Sequence, residues 1–161
     1  MIDSSYAGWY VDMCVDSDNG IHIAYYNSSK GDLKYAYLST YEDAEPDIVT
    51  VDGYLSVGTN ITINVRKEGG KQIPYIYYYN GTQNQTSNSI KVAWRENTAT
   101  LLDGAISEKF TGAWESMTIP TENIPVDATV CGGVPISGDY SDTVVLGYMT
   151  DKWFEKAYIK K

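Results

Sequence analysis

The feature that most constrains this chain is a strand-turn-strand pattern that occurs three times. Its copies span residues 21–38, 74–95 and 144–159. Aligned without gaps, the first arms of the copies read IHIAYYN, PYIYYYN and VVLGYMT, and the second arms read LKYAYL, IKVAWR and FEKAYI. Only the hairpin between the arms changes in length. Because internal repetition is the signature of repeat folds, the chain is predicted to consist of similar units.

Two positions of this alignment hold the same residue in every copy. They are the tyrosine of the first arm (Tyr25, Tyr78 and Tyr148) and the alanine of the second arm (Ala36, Ala93 and Ala157). An aromatic residue follows each alanine. Since its column is shared, Tyr78 is assigned to packing in the core or between units.

Further strand patterns flank the first copy. Residues 9–16 alternate between apolar and other side chains, and residues 17–20 (SDNG) have the composition of a tight turn, in which Asn-Gly supplies positive φ angles. Residues 47–51 form a fourth short apolar run. Four strands in succession, joined by turn residues, predict an antiparallel meander.

The second unit restarts the same order of strands. Residues 60–66 alternate as the first strand did, and residues 113–119 are the candidate fourth strand. Residues 96–111 form a longer connection in which we expect a short helical turn.

The third unit matches the pattern only in part. Residues 128–131 are its candidate first strand, residues 132–142 are predicted to form a loop, and no fourth strand is expected after the two arms. The sequence thus predicts a single domain over residues 1–161, with units at roughly 9–52, 55–119 and 126–161.

Charge and hydropathy restrict the classes of partner. The 161 residues include 21 acidic and 12 basic side chains, for a net charge of −9, which argues against binding to nucleic acid. No apolar run approaches the roughly 20 residues of a membrane-spanning helix. The 15 tyrosines, against 2 phenylalanines, suit half-exposed β surfaces and are also typical of sugar-binding surfaces.

The two cysteines, Cys14 and Cys131, are too few for a disulfide scaffold and lack metal-ligand spacing. Each lies beside a valine in a strand-like run, which indicates buried free thiols. A bridge between them remains an alternative, because sequence does not determine the distance between two cysteines.

Residues 16–26 (DSDNGIHIAYY) and 31–36 (GDLKYA) resemble a motif of bacterial β-propeller blades, D-S-x-G-x-x-H-I-A-Y-Y followed by G-x-L-x-Y-A. The resemblance is good in the first unit, moderate in the second and poor in the third. It implies an all-β fold of four-stranded antiparallel blades packed around a channel. Since propellers typically have about 4–8 blades, about three units imply a ring that is incomplete or is completed by another chain or by further blades. A β-sandwich also suits a dozen short strands, although the matched columns argue against it.

The residues that catalysis would need are few. His22 is the only histidine and is interpreted as a packed or hydrogen-bonded residue of its strand, so neither a triad nor a zinc site is predicted. Residues 16–23 match a sialidase Asp box only at Asp18 and Gly20. A sialidase-like site needs three arginines on a carboxylate, and the chain has two, Arg66 and Arg95. Asp16, Asp18 and Asn19 in the same turn offer oxygen ligands for calcium, but they lack the EF-hand order. They are interpreted as a solvated turn, as is the Asp139/Asp142 pair.

We therefore expect no catalytic residue, no metal ligand and no cofactor. Alternation places Tyr75, Tyr77 and Tyr79 on one strand face, as a stacking surface for a sugar or a protein partner. These tyrosines, with Trp94 and Arg95, are the candidate ligand-binding residues. The preferred function is a non-catalytic binding or scaffolding module, extracellular or at a bacterial cell surface, whose partner is another protein chain or further blades. The alternative is a propeller that binds or cleaves glycans.

Overall fold

A computed structural model gives the three-dimensional arrangement of the chain. It describes residues 2–3, 7–42, 45–53, 57–81, 88–95, 100–102, 105–107, 113–119, 131–135, 143–149 and 154–160. Within these ranges the chain forms strands and no helix, so the predicted all-β class is confirmed.

The strands follow one another at short intervals. They are β1 (Ala7–Val15), β2 (Ile21–Asn27), β3 (Asp32–Leu38), β4 (Asp47–Asp52), β5 (Val57–Glu68), β6 (Lys71–Asn80), β7 (Ser89–Trp94), β8 (Thr100–Leu102), β9 (Ala105–Ser107), β10 (Glu115–Ile119), β11 (Cys131–Pro135), β12 (Thr143–Met149) and β13 (Phe154–Lys160).

These strands pair antiparallel in separate sheets. Sheet 1 has the order β1-β2-β3-β4, sheet 2 the order β10-β7-β6-β5, and sheet 3 the order β11-β12-β13. The predicted four-stranded meanders are therefore confirmed for the first two units. In the third unit, three strands lie within the described residues.

Two local expectations were wrong. The connection after the second repeat contains the β8–β9 hairpin where a helical turn was expected. Residues 132–135, predicted as a loop, belong to β11, which pairs with β12. In both places the alternation was too short to distinguish a strand from other structures.

The register of the arms repeats in all three sheets. The alanine of the second arm lies opposite the third residue of the first arm each time: Ala36 opposite Ile23, Ala93 opposite Ile76, and Ala157 opposite Leu146. A shift by one residue would exchange the two faces of a strand. The common register therefore shows that the sequence repeat is also a structural repeat.

The structure extends this repeat to the first strand of each four-stranded sheet. β1 has two register shifts, one on each side of Trp9, and β5 has two at the corresponding places, one on each side of Thr59. Gly8 and Gly58 have φ angles of 103° and 95°, and Tyr10 and Asn60 follow with 51° and 49°. The segments AGWYVDM and VGTNITI thus have one backbone conformation, although their sequences have little in common.

Sheets 1 and 2 pack face to face and form the main core. Sheet 1 contributes the face that contains Ala24 and Tyr35, and sheet 2 contributes the face that contains Ile76 and Tyr78. In the repeat alignment, Ala24 is the fourth residue of the first arm, whereas Ile76 is the third. The two sheets therefore pack through unlike faces.

Burial differs sharply between the corresponding first strands. Ile61 and Ile63 of β5 are 9% and 4% exposed, because they lie in the core between the sheets. Their counterparts in β1, Val11 and Met13, are 58% and 55% exposed. Val15 on the same face is 57% exposed. The apolar face of β1 is thus open, and the face of the polar residues is the inner one.

Gly58 allows sheet 1 to approach sheet 2 closely. A Cβ atom at this position would lie 2.6 Å from the Cβ atom of Leu33, a side chain that is fully buried. The corresponding Gly8 has the same left-handed conformation, but a Cβ atom there would meet nothing within 4 Å.

We predict that Gly58→Ala destabilises the protein more than Gly8→Ala. The positive φ penalises alanine by roughly 1–2 kcal/mol at either position. Only at position 58 does the methyl group also overlap Leu33, and overpacking of this kind costs about 1–3 kcal/mol more. Urea unfolding of both variants measures the difference, and equal losses would contradict the close contact with Leu33.

Candidate functional site

The β1–β2 turn is organised by the carboxylate of Asp16. Its Oδ1 atom accepts hydrogen bonds from the backbone N–H groups of Asp18 and Gly20, both at 2.8 Å. Asn19 has the expected positive φ of 68°. Gly20 is required for space, because a Cβ atom there would lie 2.6 Å from Asp16 Oδ2 and 2.8 Å from the Tyr37 ring.

The other carboxylate oxygen of Asp16 belongs to a buried network of hydrogen bonds. His22 Nε2 lies 2.9 Å from Asp16 Oδ2, and His22 Nδ1 lies 2.7 Å from the Tyr35 hydroxyl. A carboxylate only accepts hydrogen bonds, so Nε2 carries the proton, and Tyr35 donates to Nδ1. His22 is fully buried. The prediction of a packed, hydrogen-bonded histidine is confirmed.

Burial also determines the protonation state of this network. Desolvation lowers the pKa of His22 below its usual 6.5, although Asp16 opposes the shift. Desolvation raises the pKa of Tyr35. Both side chains are therefore neutral at physiological pH, which suits a positioning role within the fold.

Polar contacts join the turn of sheet 1 to sheet 2. Gln72 donates to Ser17 Oγ at 2.6 Å and to Asp18 Oδ2 at 2.7 Å, and Lys67 Nζ lies 3.1 Å from Asp18 Oδ1. The hydrogen bond from Gln72, followed by that from Lys67, lowers the pKa of Asp18. Of the oxygens that were considered for calcium and interpreted as solvated, those of Asp18 thus bind protein groups of the neighbouring sheet, and those of Asp16 bind groups of sheet 1.

A second polar contact lies between β4 and sheet 2. Asp52 Oδ2 accepts hydrogen bonds from the Tyr78 hydroxyl at 2.7 Å and from Lys91 Nζ at 2.8 Å. Desolvation, followed by the hydrogen bond to Asp52, raises the pKa of Tyr78 well above its usual range. The predicted packing role of Tyr78 is confirmed, because it is fully buried between the sheets.

The candidate ligand-binding tyrosines share one face of β6, as alternation predicts. Tyr75, Tyr77 and Tyr79 are 7%, 1% and 9% exposed and belong to one buried apolar cluster, against which Trp94 packs. The Trp94 ring stacks on Tyr75 with centroids 6.5 Å apart, and the Arg66 guanidinium lies 4.7 Å above the same ring. Trp94 and Arg66 are half-buried at the margin of this tyrosine face.

Arg95 lies on the other side of sheet 2. It is buried, and burial lowers the pKa of its guanidinium, while Tyr35 and Asp47 raise it. The structure therefore brings Tyr75, Tyr77, Tyr79 and Trp94 together and separates Arg95 from them. Arg66, which belongs to the tyrosine face, was overlooked as a candidate. Its position in β5, on the same face as Asn64 opposite Tyr75, follows only from the register.

Cys14 is a half-buried free thiol on the inner face of sheet 1. Desolvation, with the nearby carboxylates Asp12 and Asp16, raises the pKa of its thiol to about 12. The expected free thiol is thus confirmed for Cys14, and the side chain of Cys131 lies outside the described set, as does the Asp139/Asp142 pair.

We predict that the protein loses stability as the pH falls below about 6.5, because the unfolded state then binds a proton at His22 that the folded state does not. The sign follows from the lowered pKa: stability is complete above the unfolded value and declines towards the folded value. The slope is at most about 1.4 kcal/mol per pH unit.

Urea unfolding between pH 7.5 and 5.5 tests this expectation, with His22→Gln as the control that removes the titrating group. The variant should be less stable at pH 7.5, by roughly 1–3 kcal/mol, and nearly independent of pH in this range. An NMR titration of the His22 ring that gives a pKa above 6.5 in the folded protein would contradict the direction.

Within the described residues, no group of three or more His, Cys, Asp or Glu side chains could hold a metal ion. No helix in this part of the chain is long and apolar enough to cross a membrane. Comparisons of the sequence with models of protein families, with curated proteins and with solved structures find no match.

Proposed function

We propose that this protein is a non-catalytic binding or scaffolding module of propeller-like sheets, which acts as part of a larger protein or multi-chain complex, secreted or at a cell surface. The observation that carries the proposal is the packing of sheets 1 and 2 through unlike faces. An interface between unlike faces leaves one unused face of each kind, so further sheets can be added by the same packing.

Sheet 3 supports such a series. Its first strand, β11, contacts β5, and β5 also contacts β1. The first strands of the sheets thus neighbour one another in the order β1, β5, β11. Blades arranged around a common axis have this order. The series also agrees with burial of the tyrosine face of sheet 2, which sheet 1 does not cover.

The placement of the arginines weighs against a sialidase-like reaction at these residues. Arg66 lies over Tyr75 on the tyrosine face, and Arg95 lies on the opposite face, near Tyr35 and Asp47. Clamping one carboxylate requires guanidinium groups that converge on it. Two arginines on opposite faces of one sheet do not converge.

Binding of a glycan without cleavage is the second candidate function, and the stack of Arg66, Tyr75 and Trp94 favours it. Aromatic rings with a polar margin are suited to sugar faces, and Trp94 is partly accessible at the edge of the tyrosine face. For this function, Trp94 would provide the stacking surface and Arg66 a hydrogen-bond donor.

We predict that neutral and sialylated oligosaccharides neither quench the tryptophan fluorescence of the protein nor are hydrolysed by it. Trp94→Ala tests the stack, and Trp9→Ala is the matched control, because Trp9 is 66% exposed on another sheet. Saturable quenching that is lost in Trp94→Ala and kept in Trp9→Ala would replace the scaffolding proposal with glycan binding. Hydrolysis by the wild-type chain would overturn it.

A further inference from the structure

The outer face of sheet 1 contains a pocket of about 170 Å³. It lies beside the exposed apolar face of β1. Its lining residues include Asp3, Ala7, Gly8, Val11, Ile23 and Tyr25. The lining is mainly apolar, and it joins the N-terminal residues to the first two strands of the sheet.

Five of these residues have counterparts in sheet 2. The repeat alignment and the matching bulges relate Ala7, Gly8, Val11, Ile23 and Tyr25 to Val57, Gly58, Ile61, Ile76 and Tyr78 in the same order. Four of these counterparts (Val57, Ile61, Ile76 and Tyr78) belong with Leu33 to one buried cluster. Gly58 directly faces Leu33, and Asp52 lies opposite Leu33 in the β3–β4 ladder. The pocket on sheet 1 thus has the residues of the socket that Leu33 fills on sheet 2.

A polar contact repeats as well. Tyr25 donates a hydrogen bond to Asp3 Oδ2 at 3.0 Å, as its counterpart Tyr78 donates to Asp52 Oδ2 at 2.7 Å. Asp52 is the last residue of the strand that ends sheet 1. Asp3 therefore occupies the position where the last strand of another sheet would end, on the outer face of sheet 1.

We propose that this pocket is the docking socket for sheet 3 of a second copy of the chain, which associates head to tail with the first. The proposal rests on the scaffolding function and names its partner. Phe154 begins the second arm of the third repeat and lies opposite Met149, just as Leu33 lies opposite Tyr26. Phe154 is thus the residue at the register position of Leu33 in sheet 3.

The second copy fits for two reasons. First, the contact between sheet 3 of one copy and the outer face of sheet 1 of the other repeats the packing between sheets 1 and 2, because the socket has the residues of the face of sheet 2 that binds Leu33. Second, sheet 3 has three strands in the described part of the chain, and β13 lies at its edge. Because Asp52 lies opposite Leu33, Asp3 of the acceptor would lie opposite Phe154 of the docking copy. Residues 2–3 would then take the place of the end of a fourth strand. In the described residues, two copies provide six sheets of three or four strands, within the range of about 4–8 blades for closed propellers.

Sedimentation equilibrium of the whole chain over a wide range of protein concentration tests the proposal. We expect a dimer of twice the 17.9 kDa chain mass. Val11→Lys should weaken the association about a hundred-fold, because it places an unpaired charge in the socket. Tyr41→Lys is the matched control: Tyr41 is 82% exposed in the loop after β3, and its replacement should leave the association unchanged.

A mixing experiment tests the head-to-tail geometry. Val11→Lys disrupts the socket, and Phe154→Lys changes the residue of sheet 3 that would dock in it. Each variant alone should therefore be monomeric at concentrations at which the wild-type chain is a dimer. A mixture should form a one-to-one dimer, because the intact socket of the Phe154→Lys chain can bind the intact sheet 3 of the Val11→Lys chain. Circular dichroism and urea unfolding of each variant establish that it is folded.

The outcomes separate this proposal from the scaffolding function. A wild-type chain that is monomeric at every concentration would overturn the second-copy socket. In that case, rapid oxidation of Met13 by hydrogen peroxide would mean that the apolar face of β1 is open, and slow oxidation would mean that the chain itself covers this face. A dimer that Val11→Lys leaves intact would also overturn it. The scaffolding function fails only on glycan turnover or on glycan binding at Trp94.

Discussion

The fold depends on the apolar core between sheets 1 and 2. Full burial of a side chain such as Leu33 or Ile76 contributes roughly 1.5–3 kcal/mol, and neither sheet covers these residues alone. Leu33 reaches its position only because Gly58 has no side chain. Polar contacts at both ends then fix the alignment: Gln72 holds the turn of sheet 1, and Asp52 joins Tyr78 to Lys91. An unmatched polar group in this core would be costly, so these pairs favour one arrangement of the sheets.

The sequence was sufficient to predict the arms of the repeat, because the tyrosine and the alanine keep fixed positions within their own arms although the hairpin between the arms changes in length. The structure adds that the arms also pair in one register. Alternation related β1 to β5, but it did not reveal the bulges that the two strands share. The double bulge is a backbone conformation that Tyr10 and Asn60 both adopt, and such different side chains leave no shared pattern. Nor did alternation reveal which face of β1 is inner. The apolar residues Val11 and Met13 lie on the exposed face.

The candidate site was predicted only in part. Alternation placed Tyr75, Tyr77 and Tyr79 on one face, but it gives no information on whether a face is covered, and the structure buries all three. Arg95 was grouped with them because it follows Trp94 in sequence, although adjacent residues of a strand point to opposite faces. The network of Asp16, His22 and Tyr35 explains why the first unit needs its Asp, Gly and His at those spacings. This chemistry holds a turn and needs no ligand.

The reactivity of the Cys14 thiol depends on whether sheets 1 and 2 are in contact. A pKa of about 12 means that almost none of the thiol is ionised near neutral pH, and only the thiolate reacts readily with electrophiles. The largest cause of this shift is removal from water at the contact between two sheets, so the pKa falls whenever the sheets part. The rate of alkylation at the Cys14 sulfur, measured separately from that at Cys131, therefore reports how often the two sheets separate in the native state.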